Sequence, residues 1–154
     1  TWVNEIMTPR SVMVTADEEQ TIKEFYDENP KLRFSRIPLY SEEPDDITSY
    51  FLKDMLYDAI IKGNGSKQLK SIKRDILTTS REESVADLFE KLIENKEHIA
   101  LVFDEYGSVS GIVTQEDAIE TLLGLEIMDE SDRHEDMQDL AKEQYKKRED
   151  DYKK

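Results

Sequence analysis

Apolar and polar residues follow the same succession of patterns in both halves of the chain. Apolar positions at i, i+3 and i+4 predict an amphipathic helix around residues 22–26 and another around 85–93. Each helix precedes two apolar runs that are separated by a turn with Pro or Gly, which predicts a pair of strands. The order β-α-β-β-α is thus predicted twice, with the remaining elements at 12–15, 37–40, 47–52 and 53–61 in one half and at 76–79, 99–103, 109–113 and 115–123 in the other.

The two halves also align with each other without a gap at an offset of 63 residues, which places Asp54 on Asp117 and Phe51 on Thr114. One such unit leaves a sheet face exposed, whereas two units packed sheet against sheet bury both faces. We therefore predict an α+β fold in which two repeats form one pseudo-two-fold module. The predicted parts are a first repeat at 1–62, a linker at 63–68, a second repeat at 69–124 and a charged, partly helical tail at 125–154.

Composition and charge narrow the classes of function. The chain has 21 Lys and Arg but 36 Asp and Glu, and the net charge of −15 repels nucleic acid and anionic lipid. The absence of cysteine excludes disulfides, thiolate zinc sites and cysteine nucleophiles. No apolar run approaches the roughly 20 residues that cross a bilayer. We expect no nucleic-acid partner and no membrane insertion of these residues, which look like a piece of a longer protein.

Thr114 and Asp117 stand where the apolar run 109–113 hands over to a helix. A hydroxyl followed three residues later by a carboxylate is a variant of the capping box, in which side chains satisfy free backbone N–H groups. The same position suits a ligand, because a helix N-terminus offers N–H groups and a positive dipole end to an anion. Spacing alone leaves both interpretations open.

Several segments resemble one family when taken in order: EIMTPR at 5–10, RFSRIPLY at 33–40, LVFDEYGSVSGIVTQEDAIETLLG at 101–124 and EIMDESD at 126–132. They resemble the paired CBS (cystathionine β-synthase) domains of the CorC/CNNM-type, hemolysin-related magnesium and cobalt transporters. The resemblance implies a regulatory module and not an enzyme, on the cytoplasmic side of the cell membrane. It implies ATP or AMP in the cleft between the repeats, Mg²⁺ held through the nucleotide phosphates, a homodimer, and a membrane domain elsewhere in the same protein.

The same resemblance implies roles for individual residues. It implies that Asp117 accepts hydrogen bonds from the ribose hydroxyls, that Thr114 donates toward phosphate, and that Ile37 covers one face of the adenine ring. Arg36 and His98 are either cations for phosphate or solvated surface residues. The implied nucleotide-binding set is Thr8, Met13, Ser35, Arg36, Ile37, Pro38, His98, Ala100, Ile112, Thr114 and Asp117, with no catalytic residue and no metal ligand.

The internal alignment predicts that the two repeats differ as binding sites. The first repeat keeps a carboxylate at Asp54, but it has Phe51 where the second has a hydroxyl, and Ser71 falls on Thr8. We therefore expect one competent site per chain and a closed or weak site around Asp54. Two rivals to the regulatory module remain: a dimerisation scaffold that binds no nucleotide, and a nucleotide hydrolase, which the absence of a phosphate-binding G-x-x-x-x-G-K-[ST] loop disfavours.

Overall fold

The computed structural model of this chain describes residues 1–136. Residues 1–118 form one compact unit, and a second unit begins at Ile119. The helices and strands are, in chain order, α1 (Val3–Ile6), β1 (Thr8–Pro9), β2 (Ala16–Asp17), α2 (Ile22–Glu28), β3 (Arg36–Tyr40), β4 (Ile47–Leu52), α3 (Lys53–Ile61), β5 (Arg74–Asp75), β6 (Leu77–Ser80), α4 (Val85–Glu94), β7 (Ile99–Phe103), β8 (Val109–Thr114) and α5 (Gln115–Asp136).

Most predicted elements lie within about two residues of the positions that the periodicity gives, and α1, β1 and β5 are additional. Two predicted elements differ by more. The first strand is β2 at Ala16–Asp17 and not at 12–15, because residues 10–12 turn as a 3₁₀ helix before the chain extends. Helix α5 continues past the predicted end at 123 to Asp136. The rest of the predicted tail, 137–154, lies outside the described residues. No helix within residues 1–136 has both the length and the apolar character that a membrane crossing requires.

The strands form two four-stranded sheets, in the orders β2-β3-β4-β5 and β1-β8-β7-β6. This arrangement confirms the predicted α+β fold of two repeats. It also reveals an exchange: β1, from the start of the chain, pairs antiparallel with β8 of the second repeat, and β5, which follows the linker, pairs antiparallel with β4 of the first. Each sheet therefore contains a strand that precedes the other repeat in sequence.

Apolar side chains fill both faces of each sheet. The outer faces pack under helices, around Phe25 and Leu56 in the first repeat and around Leu88 and Leu92 in the second. The inner faces of the two sheets meet in two further clusters. Their buried members are Ile47, Leu101 and Val109 in one and Tyr50, Ile99 and Ile112 in the other. The repeats thus pack sheet against sheet, as the periodicity predicts.

Local chemistry sets the helix starts identically in the two repeats. Thr21 and Ser84, 63 residues apart, precede α2 and α4, and each hydroxyl oxygen accepts a hydrogen bond from the backbone N–H three residues on, at 3.1 Å. These are N-caps, which stabilise a helix by about 1 kcal/mol. The β7–β8 turn is held by Asp104, whose carboxylate accepts from two turn amides, while Gly107 adopts the φ of +79° that the turn requires.

A polar contact crosses between the repeats at Tyr50. Its ring is buried, and its hydroxyl donates to Glu97 Oε2 at 3.0 Å. Burial raises the pKa of Tyr50, and the hydrogen bond to the Glu97 carboxylate raises it further. A raised pKa means that this contribution to stability is complete below about pH 10, the pKa of an unfolded-chain tyrosine, and disappears as the pH rises through the folded-state pKa.

We expect Tyr50→Phe to lower the free energy of unfolding by about 1–2 kcal/mol at pH 7, because it removes a hydrogen bond to a carboxylate that is itself only half-buried. Thermal melts of both proteins between pH 7 and 11 measure this. The difference between the melting temperatures should shrink above pH 10. A difference that stays constant up to pH 11 would contradict this account of the contact.

Candidate functional site

A cavity of about 330 Å³ opens between the two repeats, and residues from both form its wall. All of these residues lie within the first compact unit, residues 1–118. The volume is at the lower end of the range of small-molecule sites, roughly 300–1,000 Å³. The structure brings most of the predicted site residues to this wall: Thr8, Met13, Ser35, Arg36, Pro38, His98, Ile112, Thr114 and Asp117.

Two predicted site residues, Ile37 and Ala100, do not reach the cavity. Both are fully buried in the cores under the helices. Successive side chains of a strand point to opposite faces of the sheet, so Arg36 and Pro38 line the cavity while Ile37 packs under the helices, and Ile99 lines it in place of Ala100. A ligand in this cavity would lie on the opposite face of the sheet from Ile37, so the cavity does not support the predicted contact of Ile37 with an adenine ring.

Thr114 ends β8 and caps α5. Its hydroxyl oxygen accepts a hydrogen bond from the Asp117 N–H at 3.2 Å, so the capping interpretation is confirmed. Capping uses the oxygen as an acceptor, and the hydroxyl proton can still be donated into the cavity. The first turn of α5 is fixed further by the Gln115 N–H, which donates to the His98 carbonyl at 2.8 Å. The two ends of the β7–β8 hairpin therefore hold Thr114, Asp117 and His98 side by side.

Thr8 reaches the cavity because its strand crosses unusually close to β8. Thr8 stands opposite Ile112 and Pro9 opposite Gly111 in an antiparallel pair. A Cβ on Gly111 would overlap the Thr8 carbonyl oxygen and lie 3.1 Å from the Met7 sulfur. Glycine at position 111 therefore permits the exchanged strand to pair and carries Thr8 to the site.

Cationic and anionic side chains share the cavity wall. Arg33 and His98 come from the segments before β3 and β7, and Arg36 is the first residue of β3. Glu116 and Asp117 come from the first turn of α5. The Nε of Arg36 is buried and has no hydrogen-bond partner among the described residues. A buried N–H without a partner costs free energy unless a ligand or water supplies an acceptor. A ligand in the cavity can reach this buried N–H only if the Arg36 side chain moves, but Arg36 lines the wall and brings a cation to it.

Sequence reasoning missed several cavity residues. Phe34 and Val12 are large apolar side chains with 47% and 59% of their surface exposed, and both line the cavity, as do Arg33, Val14 and Gln115. Phe34 lies between a predicted helix and a predicted strand, where no periodicity marks it. The sequence predicts Val12 as the first residue of a strand, whereas it ends the 3₁₀ turn at 10–12. The available signal at Phe34 is a large apolar side chain outside any predicted element.

The structure also corrects the internal alignment. The turn between β7 and β8, residues 104–108, is one residue shorter than the turn between β3 and β4, residues 41–46. After the turns the offset is therefore 62 and not 63. The register agrees: Arg36 pairs with Leu52 as Ile99 pairs with Thr114. Leu52, not Phe51, is the counterpart of Thr114.

The corrected offset changes which residues the first repeat offers. Met55, not Asp54, corresponds to Asp117, and the exchanged strands place Arg74, not Ser71, at the position of Thr8. Phe51 is fully buried in the core under the helices and lies at no ligand mouth. The first repeat therefore lacks both the hydroxyl and the carboxylate. Within the described part of the chain, no three His, Cys, Asp or Glu side chains lie close enough together to hold a metal ion.

Comparison with known proteins shows which family this chain resembles. Residues 68–124, which contain the second repeat, match the family model described as CBS domain. The magnesium and cobalt efflux protein CorC of Escherichia coli K12 is 32% identical over 135 residues, which are 88% of this chain and 46% of that protein. The chain spans less than half the length of the curated relatives that it matches.

Solved structures are similar over most of the chain. The CBS domain of the bacterial CNNM/CorC family Mg²⁺ transporter in complex with ATP has a TM-score of 0.75 and 33% identity, and the match covers 80% of this chain and 88% of that one. A CBS-domain pair with bound AMP from Klebsiella pneumoniae has a TM-score of 0.66 and 26% identity, covering 80% of this chain and 98% of that one. These similarities confirm the fold and the family that the sequence resembles.

Proposed function

The chain belongs to the CBS domains of the CNNM/CorC transporter family, and on that premise we propose that it is a regulatory module that binds an adenine nucleotide, Mg-ATP or AMP, between its two repeats. The observation that carries this proposal is the cavity, whose wall combines a capped helix start, with Thr114 and Asp117, and the cationic residue Arg36. ATP and AMP are the ligands of two related structures of the same fold.

The chemistry of the wall suggests how the nucleotide lies. Asp117, an acceptor when ionised, suits the two ribose hydroxyls. Met13, Ile99 and Ile112 offer apolar surface to the base. The phosphates then lie toward Thr8, Thr114 and Arg36, where hydroxyls and a guanidinium can donate to them. Within this proposal Ser35, Pro38 and His98 complete the wall around the base and phosphates.

Mg²⁺ should bind to this site together with the nucleotide, through its phosphates. The net charge of −15 and the carboxylates of Glu116 and Asp117 in the wall repel a bare triphosphate. Mg²⁺ bound to the phosphates, mostly through water, lowers that repulsion. Mg-ATP should therefore bind more tightly than ATP in the presence of a chelator.

The wider role of the module rests on its relatives. In the longer protein, a membrane domain carries divalent cations, and this module lies on the cytoplasmic side, pairs with a second copy and changes transport when nucleotide binds. Both repeats contribute to the cavity wall, so a ligand can bias their relative arrangement. It can do so only by its differential affinity for two arrangements. The role is binding and not catalysis.

Calorimetry with Mg-ATP, AMP and GTP, together with thermal melts, tests the proposal. A saturable heat with an adenine nucleotide and a rise in melting temperature that follows ligand concentration are expected. No heat and no thermal shift at millimolar adenine nucleotide would overturn it and leave a dimerisation scaffold. Release of phosphate above the spontaneous rate would contradict the non-catalytic role.

Arg36→Ala should weaken Mg-ATP binding by about 10- to 100-fold, because one or two charged hydrogen bonds are lost at about 1.5–3 kcal/mol each. Adenosine, which has no phosphate, should bind with nearly unchanged affinity. The charge-matched control is Lys31→Ala, which removes an exposed cation that does not line the cavity and should change neither affinity. Equal losses for adenosine and Mg-ATP would show that Arg36 does not act on phosphate.

A further inference from the structure

The exchange of lead-in strands gives the module two positions that are equivalent by strand pairing, and only one of them is the cavity described above. β1 crosses the second repeat with Thr8 opposite Ile112, and β5 crosses the first with Arg74 opposite Tyr50. Tyr50 is therefore the counterpart of Ile112, a residue in the wall of the cavity. The first cleft is the cavity beside β1 and β8, and it has the aliphatic Ile112 at this position. The second cleft is the equivalent region beside β4 and β5, and it has Tyr50 there.

The tyrosine occupies the space that the first cleft leaves open. Its ring packs in one cluster with Ile99 and Ile112, and only 2% of its surface is exposed. Its hydroxyl extends to Glu97, which is half-buried, so the hydroxyl end of the ring is separated from solvent only by a partly exposed carboxylate. The counterpart of Glu97 in the first cleft is Phe34, which lines the open cavity and is 47% exposed.

The polar groups that the first cleft offers are also absent from the second. The corrected register places Leu52 and Met55 at the positions of Thr114 and Asp117. Leu52 packs against the Tyr50 cluster, and Met55 is 40% exposed at the start of α3. The second cleft therefore has neither the space nor the hydrogen-bonding groups of the first.

We infer that Tyr50, anchored by Glu97, fills the second cleft and is the residue that limits each chain to one ligand site. The filled volume is a plugged binding cleft and not ordinary core, because the hydroxyl end of the ring lies against a half-buried carboxylate. Removal of the ring should therefore open a space that connects to solvent. The limit to one nucleotide per chain rests on the function proposed above, whereas the plugging of the cleft does not.

Single cysteines test the plug directly, because the chain contains no cysteine of its own. Three full-length variants, Tyr50→Cys, Ile112→Cys and Val113→Cys, are reacted with a small charged thiol reagent. Val113 is the buried reference, since it faces the helices and is fully enclosed. The rate for Tyr50→Cys should be within about tenfold of that for Ile112→Cys and about 100-fold above that for Val113→Cys, because accessibility controls thiol reactivity.

A Tyr50→Cys rate as slow as that of Val113→Cys overturns the inference. Circular dichroism melts establish that each variant is folded before the rates are compared. If Tyr50→Cys does not fold, a crystal structure of the milder Tyr50→Ile variant decides the question. A solvent-connected cleft beside Glu97 supports the plug, and a repacked interface without such a cleft overturns it.

Adding Mg-ATP to the same reactions separates this inference from the proposed function. Mg-ATP should slow the reaction of Ile112→Cys at least tenfold and leave that of Tyr50→Cys unchanged. Protection of both thiols would overturn the limit to one site. Protection of neither would count against the nucleotide site, while the comparison of rates without nucleotide still decides whether Tyr50 fills a cleft.

Discussion

Asp117→Ala should lower the affinity for Mg-ATP by about 100-fold and remove most of the thermal stabilisation that the nucleotide gives. A carboxylate that accepts from both ribose hydroxyls makes two charged hydrogen bonds, and their loss leaves two donors of the ligand unpaired. A 100-fold loss corresponds to about 2.7 kcal/mol of binding free energy. Calorimetry measures the affinity, and melts at a fixed Mg-ATP concentration measure the lost stabilisation.

The matched control for this variant is Asp54→Ala. Asp54 and Asp117 are both acidic residues in the first turn of a helix, so either change removes one charge from a helix start. Asp54 does not line the cavity, and its loss should change Mg-ATP affinity less than threefold. Equal losses for the two variants would mean that overall charge, and not contact with the ribose, determines the affinity.

Gly111→Ala should destabilise the fold by about 3 kcal/mol and weaken Mg-ATP binding more than tenfold. The added Cβ overlaps a backbone atom, the Thr8 carbonyl oxygen, and no side-chain rotation can relieve that contact. Strand β1 must then shift away from β8 and take Thr8 with it. Overpacking of this kind typically costs about 1–3 kcal/mol. Urea denaturation measures the stability, and calorimetry measures the affinity.

Gly124→Ala is the control for the glycine substitution. It lies within α5, and a Cβ there meets no atom within 4 Å. Alanine is favoured over glycine in a helix by about 0.5–1 kcal/mol, so this variant should be neutral or slightly stabilised. A Gly111→Ala protein as stable as the parent would show that the Thr8 carbonyl leaves room for a Cβ at position 111.

Local patterns were sufficient for most of the secondary structure. Strand 99–103 and helix 53–61 lie at their predicted bounds, because each depends on an apolar periodicity and on breakers that are adjacent in sequence. The motifs at the start of β3 and at the junction of β8 and α5 likewise predicted Ser35, Arg36, Thr114 and Asp117, and all four line one cavity.

The misplaced residues have a common cause. The placement of Ile37 and Ala100 at the site depended on which face of a strand each side chain occupies, and a shift of one residue moves a side chain to the opposite face. The counterparts of Thr114 and Asp117 depended on a turn that is one residue shorter in the second repeat. An ungapped comparison of weakly similar halves cannot detect a single-residue difference between turns.

The sequence by itself determined the repeated order of helices and strands, the family, and the segments that supply the site. Only the tertiary structure decided the exchange of β1 and β5 between the sheets, the face that each strand residue occupies, and the filling of one cleft by Tyr50. The physical reason is range: periodicity and capping act between neighbours along the chain, whereas strand register and cleft volume are set by residues more than 20 positions apart that meet only in the folded protein.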